Sequence, residues 1–148
     1  MAGFISSSTL PIITPFKDDK IDFRSYKRLI DTYVNKGISG IIPLGTTGEV
    51  PVLNDFEFEE MIEKTMALLM NPPKDFSILT GEDILFYVTL TLGGQGGILA
   101  SSHLKTEQFV DVYNKVKNNE LEAALQTWKK LYDFIPLLFK EPNPAPIK

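Results

Sequence analysis

The chain has 148 residues, 43% apolar and 23% charged, with a formal net charge of −4, a single histidine and no cysteine. That is one soluble-type globular domain, long enough to bury about 68–70% of its unfolded surface. No basic cluster suggests a nucleic-acid partner, no apolar run approaches a membrane span (FIPLLF at 134–139 is the longest), and disulfide, thiol and zinc chemistry lack their ligands.

In chain order, the first apolar run is TLPIIT (9–14), where Pro11 suits a strand start or an irregular edge. The stretch before it lacks the basic start and long apolar core of a signal peptide, and the absence of cysteine fits a reducing cytoplasm. Asp22 is placed to cap a first helix whose apolar face is Phe23, Tyr26, Leu29, Ile30, Tyr33 and Val34, with Gly37 as its stop. GIIPL (40–44) reads as the second strand. A second helix starts near Asn54, carries Phe58, Met61, Ile62, Thr65, Met66 and Leu69 on one side, and ends at NPPKD (71–75), because two prolines cannot continue it.

FSILT (76–80) is the third strand. The segment 84–94 is ambiguous, with Ile84, Leu85, Val88 and Leu92 fitting a buried helix, and strand–helix alternation assigns it as one. GGILA (96–100) is the fourth strand, followed by a helix with Phe109, Val112, Tyr113 and Val116 inward. Asn119 is expected to cap a last helix that turns Leu121, Ala124, Leu125, Trp128, Leu131, Tyr132 and Ile135 inward, with Pro136 kinking or ending it. The tail EPNPAPIK is extended. These are four βα units in one domain, 1–148: two in 1–70, two in 71–118, and the C-terminal helix and tail in 119–148. A complete (β/α)8 barrel takes about 250 residues, so four units are half of one.

LPIITPF (10–16), GIIPLGTTGE (40–49), ILTGED (78–83), GGQGGILASS (93–102) and EPNPAPIK (141–148) occur in the order of similar segments in dihydrodipicolinate synthase, and the chain resembles that family. The family is a pyruvate-dependent branch of the class I aldolase superfamily that includes N-acetylneuraminate lyase and sugar-acid aldolases, with EPNPAPIK favouring the synthase branch. The resemblance implies a lyase of lysine biosynthesis, condensing pyruvate with aspartate semialdehyde through a Schiff base, with no cofactor and no metal. It also implies a gap. The second helix runs directly into a segment similar to strand seven, and nothing resembles strands three to six. The expected fold is therefore α/β: a partial, half (β/α)8 TIM barrel made of the equivalents of strands one, two, seven and eight with C-terminal helices. Those strands would be neighbours in a closed barrel, and unpaired edges would drive self-association into a homodimer or higher homo-oligomer, strand two of one copy meeting strand seven of the other.

A class I aldolase needs a desolvated lysine on a strand facing the barrel interior. None of the four strands carries one; every lysine falls in a helix, a turn or the tail. The resemblance also puts the Schiff-base lysine and the relay tyrosines in the missing segments. By the same resemblance Thr46 is the relay threonine, Thr47 and Gly45 belong to the pyruvate-carboxylate turn, and Gly81 is a substrate-side backbone position. Backbone N–H groups after a glycine turn suit an anion, while a plain βα turn with locally bonded threonines is the bland counterpart. Glu49 reads as a capping or loop-ordering residue, Asp83 as a helix cap, His103 as a first-turn or solvent-facing residue, Thr14 and Pro15 as structural, and Trp128, Tyr132 and Phe134 as packing. Two functions stand side by side: a lyase by lineage, and a non-catalytic, self-associating half-barrel that binds at most pyruvate or another small carboxylate.

Overall fold

The structure is a computed structural model that describes residues 8–49, 52–72 and 74–140, without the side chain of Leu69. The EPNPAPIK motif lies outside the described residues, as does the expected inward position of Leu69. Strand β1 (Thr9–Pro11) leads into a hairpin of β2 (Phe16–Lys17) and β3 (Lys20–Ile21). Asp18 and Asp19 form its turn at φ 51° and 57°, a left-handed pair that suits the twist of a two-residue hairpin and that Asp tolerates. No strand is expected there from the sequence. Lys17 and Lys20 thus do lie on strands, which corrects the expectation that every lysine falls elsewhere, although both are exposed and neither belongs to the main sheet.

Helix α1 (Phe23–Asn35) begins where Asp22 accepts the Ser25 N–H at 3.0 Å, and the chain leaves it through Gly37 at φ 85°. Buried strand β4 (Gly40–Ile42) follows, then α2 (Asp55–Met70). The start of α2 is held by a reciprocal box: the Asn54 side chain accepts the Glu57 N–H at 3.0 Å and the Glu57 carboxylate accepts the Asn54 N–H at 2.9 Å. Strand β5 (Ser77–Thr80) runs through a 3-10 turn, Asp83–Leu85, into α3 (Phe86–Thr91), so the ambiguous segment is helical.

Strand β6 is only Gly96–Gly97, shorter than the expected 96–100. The reason is local. Ile98 N–H still reaches Thr80 O at 2.9 Å, but the N–H groups of Ala100 and Ser101 point to the Asp83 carboxylate and the chain curls into a 3-10 turn, Ser101–His103. Helices α4 (Thr106–Lys117) and α5 (Leu121–Leu138) complete the described chain. Asn119 does not cap α5. It takes φ 63° in the link between the helices, and Glu120 is the cap residue. Pro136 sits in the last turn of α5, which ends two residues later, as a missing N–H dictates.

The four-stranded parallel sheet has the order β1-β4-β5-β6, with Leu10 beside Ile41, Ile41 beside Ile78 and Leu79 beside Gly96. This corrects the expected closure. The equivalents of strands two and seven, β4 and β5, pair within one chain. Consecutive parallel strands joined by one short helical crossover settle side by side, and α2 is such a crossover. Among the described residues, the unpaired edges of this sheet are β1 and β6.

Two apolar clusters form the core. One packs Ile12, Ile41 and Ile78 of the sheet against Tyr26 and Ile30 of α1 and Met61 of α2. The other joins Phe86 and Leu90 of α3, Phe109 and Val112 of α4, and Trp128, Leu131 and Ile135 of α5. Trp128 is its hub, with ring centroids 6.3 Å from both Phe86 and Phe109 and a stacked Tyr87 at 6.1 Å. The inward stripe expected on α5 is too wide: Leu121 and Tyr132 are exposed because α3 and α4 cover only one side of the helix. Among the described residues no helix is long and apolar enough to cross a membrane.

Candidate functional site

The C-terminal ends of β4, β5 and β6 open onto one cavity of about 500 Å3, the position at which parallel α/β folds place ligands. After β4 the chain turns through Leu44 at φ 58° and Gly45 into a 3-10 turn, Thr46–Gly48, and leaves at Glu49 with φ 60°. Two non-glycine residues in the left-handed region bracket the loop, a local cost of the kind that ligand loops carry. The loop is braced from behind. The buried Thr14 hydroxyl donates to Gly48 O at 2.7 Å, which gives Thr14 the structural role its position suggested.

The loop after β5 meets the loop after β4 backbone to backbone. A Cβ on Gly81 would stand 2.8 Å from Gly45 Cα and 3.1 Å from Gly45 N, so this contact requires a glycine. Gly45, Thr46 and Gly81 are thereby brought to one wall of the cavity. Thr47 and Glu49 are exposed and stand outside the lining.

Asp83 is 3% exposed and accepts the Ser101 N–H at 2.6 Å and the Ala100 N–H at 3.3 Å. It is a cap, as the sequence suggested, but it caps the turn after β6 rather than its own helix. Its neighbour Glu82 lines the cavity, and burial raises its carboxyl pKa, with the Asp83 charge adding to the rise, against backbone N–H bonds from Ile84 and Asp83. His103 is exposed and stands at the cavity rim, with Ile98 and Phe139 supplying apolar surface. Sequence reasoning places Glu82 at the end of the strand-seven equivalent, where active sites of such barrels lie, without a specific role, and assigns none to Phe139. For Glu82 the signal was present, since it follows a strand-end glycine just as Thr46 does.

The lining contains no lysine or arginine among the described residues, and none of the four parallel strands carries a lysine. The described residues also hold no cluster of three His, Cys, Asp or Glu fit for a metal ion. The arrangement offers a threonine hydroxyl, turn backbone and a partly desolvated carboxyl, and no amine nucleophile.

The sequence profile of the Dihydrodipicolinate synthetase family matches residues 5–72 and, separately, 65–148. The chain belongs to that family. It is 33% identical to 4-hydroxy-tetrahydrodipicolinate synthase 2 of Clostridium acetobutylicum over 251 aligned positions that cover 97% of this chain and 88% of the relative. Since this family member has only 148 residues, more than a hundred of those positions face a gap. The 4-hydroxy-tetrahydrodipicolinate synthases of Endomicrobium trichonymphae and Methanococcus maripaludis (strain C6) match it at 41% over 95 residues and 49% over 58 residues. Those two matches cover 62% and 39% of this chain but only 33% and 20% of the relatives, so the family member spans a minor part of each. Among solved structures, the putative dihydrodipicolinate synthase of Thermus thermophilus superposes with a TM-score of 0.63 at 20% identity, covering 89% of this chain and 40% of that one. The Aquifex aeolicus dihydrodipicolinate synthase gives 0.52 at 16% identity, covering 93% and 84%. At such identities the likeness speaks for fold: a partial TIM barrel.

Proposed function

We propose that this chain is a non-catalytic derivative of a 4-hydroxy-tetrahydrodipicolinate synthase lineage. The ancestral reaction, a lyase-class condensation of pyruvate with aspartate semialdehyde through a Schiff base, has lost its amine, and the carboxylate side of the pyruvate site remains. The observation that carries this reading is the absence of lysine from the four parallel strands and from the cavity lining among the described residues. A Schiff-base lysine has to be desolvated to be a free amine at neutral pH, and Lys17 and Lys20, the lysines on the hairpin strands, are exposed. Thr46 then acts as a hydrogen-bonding group rather than a proton relay, with Gly45 and Gly81 framing a small carboxylate such as pyruvate and Thr47 standing outside the lining. No cofactor or metal is required, the setting is the cytoplasm, and the partner is a further copy of the same chain.

Borohydride reduction in the presence of pyruvate, read by intact mass, tests the reading. No adduct is expected, and a reduced N-(1-carboxyethyl) adduct mapped to one lysine would overturn it in favour of surviving Schiff-base chemistry. Pyruvate titration followed by amide NMR is expected to move residues 45–47 and 81–82, and Thr46→Val to weaken that response.

A further inference from the structure

We infer that two copies of this chain close into an eight-stranded barrel through a β6-to-β1 seam made twice; this rests on the self-association proposed above and names the edges that carry it. All four strands run in one direction in the order β1-β4-β5-β6. The outer edge of β6 on one copy and the outer edge of β1 on another can therefore continue the parallel ladder without reversal. A two-fold axis along the barrel makes both seams identical and stops growth at eight strands, a number at which side chains fill the interior. A β1-to-β1 or β6-to-β6 contact about a two-fold axis would instead be antiparallel and would leave the other edges open.

The β1 edge has main-chain groups free for such a strand, less the donor that Pro11 lacks. Ser8 O and Ile12 N bond across to Ser39 N and Ile42 O at 3.2 Å each, so the alternation turns the main-chain groups of Thr9, Pro11 and Ile13 outward. Pro11 has no N–H to donate there, which leaves its carbonyl and the groups of Thr9 and Ile13 for a neighbour. Neither edge segment carries a charged residue of its own, although the Lys117 ammonium donates to Gly94 O at 3.2 Å just before β6. Residues 8–14, STLPIIT, and 93–104, GGQGGILASSHL, contain no Asp, Glu, Lys or Arg, whereas edges meant to stay unpaired are commonly protected by charged side chains. Each edge instead shows an isoleucine at the end of its strand: Ile13 is 46% exposed and Ile98 62% exposed. Ile98 also lines the cavity, so a second copy seated along β6 would supply part of the wall that one copy leaves open.

The absence of cysteine in the chain makes the seam directly testable. Sedimentation and native mass spectrometry at micromolar concentration should give a species of twice 16.6 kDa. The full chain carrying Ile13→Cys together with Ile98→Cys should form covalent dimers with a short bis-maleimide, and each single variant should not. A monomer, including one cross-linked within itself, would mean that the edges are covered inside one chain and would overturn the proposal. A dimer in which single variants cross-link as well as the double variant would show a like-to-like contact and would also overturn it, as would a ladder of larger species. Pyruvate binding is read separately, so loss of the barrel and loss of the carboxylate site are distinguishable outcomes.

Discussion

Replacing Asp83 with alanine should destabilise the fold through two backbone N–H groups on another segment. Asp83 is 3% exposed, and its carboxylate takes the Ser101 N–H at 2.6 Å and the Ala100 N–H at 3.3 Å. The shorter contact is a charge-assisted bond worth about 1.5–3 kcal/mol; the longer, near the distance limit, adds about 1 kcal/mol at most. The expected loss for Asp83→Ala is about 2–4 kcal/mol. With a slope near 2 kcal/mol per molar urea, the unfolding midpoint falls by about 1–2 M. Asp83→Asn keeps one acceptor in place and should fall between the variant and the parent. Amide exchange at Ala100 and Ser101 should accelerate in both. A midpoint for Asp83→Ala within about 0.5 kcal/mol of the parent, the size of an ordinary surface change, would refute the view that this carboxylate holds the β6 loop against the β5 loop.

Gly81→Ala forces a Cβ to within 2.8 Å of Gly45 Cα, so the two loops should part at a cost of about 1–3 kcal/mol, visible as a lower melting temperature and as NMR shifts at Gly45. Glu82 has a higher proton affinity folded than unfolded, so the native state still holds a proton that the unfolded chain has released. Stability should therefore fall as pH rises from the ordinary glutamate value of 4.5 through the higher folded value; Glu82→Gln should flatten that part of a melting-temperature profile, and an unchanged profile would remove Glu82 from the account. Trp128→Ala removes the hub of the α3–α4–α5 cluster and should cost about 3–5 kcal/mol in urea unfolding.

The helices and their caps were legible because their signals are local. Asp22 and Asn54 occupy the capping positions their neighbours imply, and Tyr26, Ile30 and Met61 are buried at the predicted spacing. The hairpin at 16–21 was not, because a two-residue strand has no periodicity to read, and an Asp-Asp turn is a weaker signal than Asn-Gly. The cavity was half legible. Gly45, Thr46 and Gly81 could be chosen because the family resemblance marks those strand-end turns, while the role of Glu82 depends on a burial that only packing creates. Strand order was the largest miss. The resemblance carried the neighbour relations of a longer protein onto a chain in which the intervening units are gone, and β4 found β5 instead.

That β4–β5 contact has a bearing on how barrels of this kind change size. The two profile matches overlap at 65–72, the last turn of α2 and the loop after it. A join there has to preserve only two things: the helical phase that keeps Met61 and Thr65 buried, and the rim from which the next strand departs. Every strand–helix step returns the backbone to the same rim with the same heading, so steps can be excised in whole numbers without inverting any surviving strand. Length in such proteins is then quantised by the repeat, and an internal deletion ending inside a strand would be far harder to absorb than a larger one made of whole strand–helix steps.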